Sequence, residues 1–74
     1  MYKLSYARTN LNLIFISVEG GRGAVQRLTD MGLIPGERLK ILHNSGHGPV
    51  TVLIKGAKVA LGHGLAVKII VEEE

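Results

Sequence analysis

Residues 27–42, RLTDMGLIPGERLKIL, change character twice within sixteen positions. Leu28 and Met31 keep the spacing of a helical stripe, Gly32, Pro35 and Gly36 interrupt it, and Leu39 and Ile41 then alternate with Arg38 and Lys40 as in a half-buried strand. With Gly32 at C′ in the left-handed backbone region, Leu28 falls at C3 and Leu33 at C″, the apolar pair that accompanies a Schellman helix ending. Pro35 and Gly36 suit the two central positions of a type II turn: proline presets the first φ and glycine supplies the positive φ at the second. The stretch predicts a helix that stops at Met31, a tight turn, and an antiparallel strand that begins at once.

Working outward, the helix starts after VEGGRG, where Gly20, Gly21 and Gly23 break the preceding segment. Ala24, Val25, Leu28 and Met31 form its apolar stripe, and Arg22, Gln26, Arg27 and Asp30 its polar face. Before the glycines, residues 12–18 (NLIFISV) read as a strand apolar on both sides, with Ile14, Ile16 and Val18 on one face and Leu13 and Phe15 on the other. After the turn, HNSGHGP (43–49) is a loop by composition. VTVLIK follows with Val50, Val52 and Ile54 inward, and Lys55–Gly56 closes a hairpin into AKVAL, with Val59 and Leu61 inward. GHGLA holds a single helical turn, and residues 67–71 (VKIIV) form the last strand with Val67, Ile69 and Val71 inward. The fold class is mainly β: a small, partly open barrel of about five strands, with one short α-helix between the first and second of them.

A chain of 74 residues makes one domain, 1–74, and a small one. Folding at this size buries only roughly 60% of the surface of the unfolded chain, which leaves no room for a deep enclosed active site. The chain has no cysteine, so disulfides, thiolate zinc sites and cysteine-ligated clusters are excluded. The longest apolar run, LIFISV (13–18), is far short of the roughly 20 residues that span a bilayer. Arg8, Asn10 and Asn12 interrupt the stretch where a signal peptide would be apolar, so the expected location is the cytoplasm. Residues 1–71 carry nine bases against three acids, while Glu72, Glu73 and Glu74 form an acidic tail. A basic body suits solubility, an acidic partner surface or nucleic acid.

Residues 18–42 (VEGGRGAVQRLTDMGLIPGERLKIL) and 55–73 (KGAKVALGHGLAVKIIVEE) resemble the FeoA family, small cytoplasmic accessory proteins of bacterial ferrous-iron transport. The resemblance covers roughly residues 14–72, and RLTDMGLIPG, with helix, glycine stop, apolar pair and Pro-Gly turn in order, is its most specific part. It implies an SH3-like barrel and a role beside the membrane transporter FeoB, bound through that transporter's cytoplasmic, GTP-binding part. Residues 1–12 (MYKLSYARTNLN) depart from the family's usual opening, a leucine-containing segment that ends in a Pro-Gly turn.

Other chemistries find little support. The GGRG loop lacks the lysine and Ser/Thr of a P-loop, so its glycines read as a tight strand-to-helix corner. His43, His47 and His63 include two in flexible GHG settings, but no pair has the four-residue helical spacing of ligands and carboxylates are scarce near them, so neither a metal site nor a cofactor is assigned. No hydroxyl sits with a base and an orienting acid, which argues against an enzyme. Nucleic-acid binding is the alternative reading, since small basic barrels bind single strands, yet Tyr2, Tyr6 and Phe15 are the only aromatics on which bases could stack. A metal-sensing repressor, whose C-terminal domain is a similar barrel, would need a DNA-reading domain for which this chain has no room.

The reading that follows is a protein-interaction module. Ile34 on the turn has no periodic place in the core, and Arg27, Pro35 and Arg38 flank it, an apolar anchor with a basic rim. Its alternative role is to plug the barrel end. For such a module, fluorescence titration with short single-stranded DNA or RNA at physiological salt should give a dissociation constant weaker than about 100 µM, the range of non-specific electrostatics. A sub-micromolar value for a defined oligonucleotide would overturn the assignment.

Overall fold

The computed structural model describes residues 1–74. In chain order the elements are strand β1 (Tyr2–Lys3), a 3-10 turn (Leu4–Tyr6), β2 (Asn12–Val18), helix α1 (Arg22–Asp30), β3 (Arg38–Asn44), β4 (Val50–Ile54), β5 (Ala57–Leu61), α2 (His63–Ala66) and β6 (Ile69–Glu73). The strands form one antiparallel sheet in the order β1-β6-β2-β3-β4-β5, curled around a core of fifteen buried apolar residues with no buried polar side chain.

The helix stop has the bonding inferred from its sequence. Leu33 N–H donates to Leu28 C=O at 2.8 Å and Gly32 N–H to Thr29 C=O at 2.9 Å, the two crossed bonds of a Schellman ending, with Gly32 at φ +86°. Leu28 and Leu33 are both 1% exposed, so the contact that ends the helix also anchors it to the core. Glu37 N–H then donates to Ile34 C=O at 2.9 Å across Pro35 and Gly36, whose φ is +93°, as in a type II turn. Two further backbone bonds join this turn to β2: Gly36 N–H to Phe15 C=O (2.8 Å) and Phe15 N–H to Glu37 C=O (2.9 Å).

Several expectations change. The α1 stripe is narrower than its spacing suggests: Leu28 is buried and Ala24 and Met31 half-buried, but Val25 remains 49% exposed, because the short helix meets the sheet mainly through one residue. On β2, apolar on both sides, the face of Leu13 and Phe15 is the inward one. Leu13 and Phe15 are buried and Ile14 and Ile16 only half-buried, while a bulge between Phe15 and Ser17 returns Val18 to the core side. Strand β6 starts at Ile69, since α2 extends through Ala66 with Val67 as its C-cap, and Val67 is only half-buried. Glu72 and Glu73 belong to β6, paired with Ile14 and Leu13, so most of the acidic tail is strand.

Residues 1–12 add what their sequence does not advertise. Tyr2 and Lys3 pair with Val71 and Ile70 to make a sixth strand, and Leu4 and Ala7 are buried beneath it. The Asn44 side-chain amide donates to Ser5 C=O (3.1 Å) and Ala7 C=O (2.7 Å), tying the segment to the end of β3. Tyr2 Oη donates to a Glu73 carboxylate oxygen at 3.2 Å. Desolvation, then this bond and the Glu73 charge, hold the phenol's pKa above 10, against a smaller opposing pull from Arg8.

A Cβ on Gly32 would meet only the Lys55 side chain, at 3.6 Å and beyond, so the cost of substitution there is backbone strain and not crowding. Gly32→Val should destabilise by about 2 kcal/mol or more, a drop of roughly 10 °C in Tm by thermal circular dichroism, and Gly32→Asn by distinctly less, since asparagine visits this region. The raised Tyr2 pKa stabilises the folded state fully below the unfolded value near 10, and that contribution is lost as pH rises through the folded value. Spectrophotometric titration of a Tyr6→Phe variant should therefore show the remaining phenol ionising above 10, and at a lower pH when Glu73→Gln is added, because the uncharged amide removes the charge that opposes the phenolate while the larger effect of burial remains.

Candidate functional site

Ile34 is presented and not buried. It is 47% exposed on a turn held on both sides, by the Schellman bonds behind it and the two bonds to Phe15 ahead of it. Its neighbour Leu33 fills the barrel end instead, at 1% exposed. An apolar side chain is thus displayed on a backbone with little freedom left to lose, which lowers the entropic cost of binding through it.

The four residues singled out from sequence do not surround one cavity. Pro35 lines an apolar groove between α1 and β2, together with Phe15, Val18, Val25, Leu28 and Leu33, of about 190 Å3. Arg27 projects from α1 to a different cleft, whose floor is Gly21, Gly23, Gly62 and Gly64 and whose other charged residue is Lys68. Arg38 lies on a third surface with Lys40 and Lys55. Its Nε is 2.8 Å from Glu74 Oε2, and both side chains are exposed enough that the pair stabilises by at most about 1 kcal/mol. Glu37 sits between this surface and the turn, with its carboxylate 3.5 Å from Lys55 Nζ.

The groove was not foreseen. Its signal in the sequence is Val25, an apolar residue on the helical stripe that the sheet leaves half uncovered. Beside the groove, Ile34 and Val25 are two of the four large hydrophobic side chains most open to solvent, the others being Met1 and Tyr6. The site is therefore an apolar corner built from α1, β2 and the Pro-Gly turn, with Arg27 and Arg38 on its flanks.

The remaining candidates are dispersed. No three His, Asp or Glu side chains are grouped in a way that could hold a metal ion, which leaves His43, His47 and His63 apart from any carboxylate cluster. Phe15 is buried and Tyr2 is half-buried and bonded to Glu73, so Tyr6 alone is open for stacking. No helix is long and apolar enough to cross a membrane.

Crowding does not explain the glycines of the second cleft, although Gly21 and Gly62 serve as the N-caps of α1 and α2. Gly21 and Gly62 have ordinary negative φ values (−85° and −58°), Gly23 and Gly64 are helical, and a Cβ on any of the four would meet nothing within 4 Å. Glycine within a helix costs about 0.5–1 kcal/mol relative to alanine, so Gly23 weakens α1 without relieving any contact.

Comparison with known proteins agrees with this architecture. The FeoA domain model matches residues 7–73. A protein of Methanocaldococcus jannaschii named "Putative Fe(2+) transport protein A" is 42% identical over 73 residues, covering 99% of this chain and 88% of the relative. A crystal structure of an iron uptake regulatory protein (FeoA) superposes with a TM-score of 0.90 at 32% identity, covering 97% of this chain and 96% of that one. The solution structure of a FeoA protein from Chlorobium tepidum gives 0.84 at 29% identity, over 96% of this chain and 69% of that one. The fold recurs in ScaR, at a TM-score of 0.87 and 20% identity, where it covers 37% of the longer chain. Family model, sequence relative and solved structures agree over nearly the whole chain, which belongs to the FeoA family, linked to ferrous-iron transport.

Proposed function

We propose that this protein is a non-enzymatic interaction module that supports ferrous-iron uptake by binding the cytoplasmic part of a FeoB-type GTP-binding transporter. The observation that carries this reading is the display of Ile34 on a doubly held turn next to an apolar groove. Such a corner offers both an anchor and a receptacle. Ile34 enters a partner pocket, while the groove beside Pro35 receives an apolar side chain in return, the pairing of anchors typical of interface centres. Arg27 and Arg38 lie outside that centre and are exposed, so they meet acidic groups at the rim and act mainly on association rate and salt dependence. In this role the protein works at the cytoplasmic face of the membrane through its partner, with no chemistry of its own. The barrel is held by a wholly apolar core, so the contact surface can change without altering the fold.

Isothermal titration against the transporter's isolated cytoplasmic domain is the direct test. Ile34→Asp should weaken binding by at least about 30-fold, the equivalent of about 2 kcal/mol for a central anchor, with the circular dichroism spectrum and Tm close to the parent's. Normal binding by this variant would reduce the corner to architecture. Arg27→Glu should weaken binding several-fold at low salt and much less at high salt, because an exposed charge is screened.

A further inference from the structure

One side of β5 is unused. The strand pairs with β4 alone, and no turn, loop or side-chain hydrogen bond involves residues 57–60. Lys55 and Gly56, at φ +51° and +79°, form a two-residue hairpin turn with both central residues in the left-handed region. A turn of this type closes on a hydrogen-bonded pair, here Ile54 with Ala57. Alternation along the ladder makes Val52–Val59 and Val50–Leu61 the next bonded pairs, which turns the N–H and C=O of Lys58 and Ala60 outward. Exposed edges of this kind are ordinarily blunted by short length, proline, a bulge, a covering element or charge, lysine above all. β5 has no proline, no break in its register with β4, and a single charge, Lys58.

The end of this edge leads into the glycine-floored cleft, since Gly62 follows Leu61 directly. Glycines with open space where a Cβ would stand leave room for another backbone to lie close against them. The charged side chains in that cleft are Arg27 and Lys68, and neither is within ion-pair distance of a carboxylate; the salt bridges of the molecule are Arg38–Glu74 and Lys55–Glu37. Lys58 is likewise unpaired.

We propose that the free edge of β5 is a docking site for an extended acidic segment of a protein partner, which adds to the sheet as a seventh, antiparallel strand. Its backbone bonds to Lys58 and Ala60, and acidic side chains on the strand face shared by those two residues sit across from Lys58 and over the small Ala60. Beyond the strand its backbone passes over Gly62 and Gly64, with carboxylates meeting Arg27 and Lys68. Charge favours this occupant over a second copy of the chain, because edge-to-edge self-pairing would bring two unpaired Lys58 side chains into one ribbon. The backbone edge is distinct from the Ile34 corner and does not depend on it; the two surfaces share only Arg27, which stands between them.

The experiment is amide exchange and chemical-shift titration by NMR on the intact protein, with a seven-residue peptide alternating glutamate and valine, capped at both ends. In the free protein the Lys58 and Ala60 amides should exchange rapidly and those of Ala57, Val59 and Leu61 slowly. Millimolar peptide should slow Lys58 and Ala60 by at least about tenfold and shift the resonances of Gly62 and Gly64. A peptide alternating lysine and valine should do neither. Ala60→Pro, which deletes an outward N–H and leaves the ladder to β4 intact, should abolish the effect; Lys58→Glu, which alters no backbone group, should markedly reduce the preference for the acidic peptide, with Arg27 and Lys68 still favouring it. The proposal is overturned if Lys58 and Ala60 are unmoved at millimolar acidic peptide, if both peptides protect equally, if Lys58→Glu leaves the preference as it was, or if the two amides are already protected in a concentration-dependent way without peptide, which would place a second copy on the edge.

Discussion

The hydrogen bond from Leu33 N–H to Leu28 C=O is the constraint on which the rest of the molecule turns. It exists only because Gly32 adopts a positive φ, and it brings two leucines from either side of the helix end into the same core. Without it, α1 would have one buried residue and no fixed exit. With it, the chain leaves the helix in a direction that lets Gly36 and Glu37 bond Phe15 on β2, and β3 begins already in register with its neighbour. Local backbone geometry and the packing of the barrel thus support the same arrangement, the consistency expected of a sequence that specifies one structure.

This explains how so small a domain shows apolar residues to solvent without losing order. The fifteen core positions form one cluster drawn from nearly every element, so no single surface residue is needed to hold the barrel closed. Ile34 and Val25 stay exposed at little structural cost because Leu33 and Leu28, their sequence neighbours, occupy the interior. The arrangement separates buried from displayed apolar side chains by one or three positions along the chain.

Most of the fold was legible where local chemistry decides it. Gly32, Pro35–Gly36 and Lys55–Gly56 announce a helix stop and two turns through backbone requirements that depend on no distant partner. The alternation of Leu39 and Ile41, and of Val50, Val52 and Ile54, named the inward faces of β3 and β4 correctly. What failed was non-local. β2 is apolar on both sides, so its inward face is set by pairing and by a bulge that no pattern of hydrophobicity marks. β1 is two residues long and exists because β6 offers an edge to it. The candidate site was legible as residues and not as an arrangement: Ile34 is presented as its sequence suggested, but Arg27 and Arg38 depart to separate surfaces because helix phase and strand register, unseen in sequence, determine where each points. Val25 and the groove beside it could be recognised only once the helix was docked.

The two bulges carry a consequence for how this chain can change in length. In β2, Phe15 pairs with Val71 and Ser17 with Ile70, so Ile16 is the unmatched residue; in β3, Ile41 pairs with Val52 and His43 with Thr51, so Leu42 is. A strand's sides alternate with period two, and removing any matched residue would turn every later side chain of that strand to the opposite face. Removing Ile16 or Leu42 would not: Phe15, Ser17 and Val18, or Ile41, His43 and Asn44, would keep their partners and their faces, and only the local twist would relax. β2 and β3 therefore each have one position at which a residue can be lost without scrambling inside and outside, and that position trades curvature of the barrel against length of the chain.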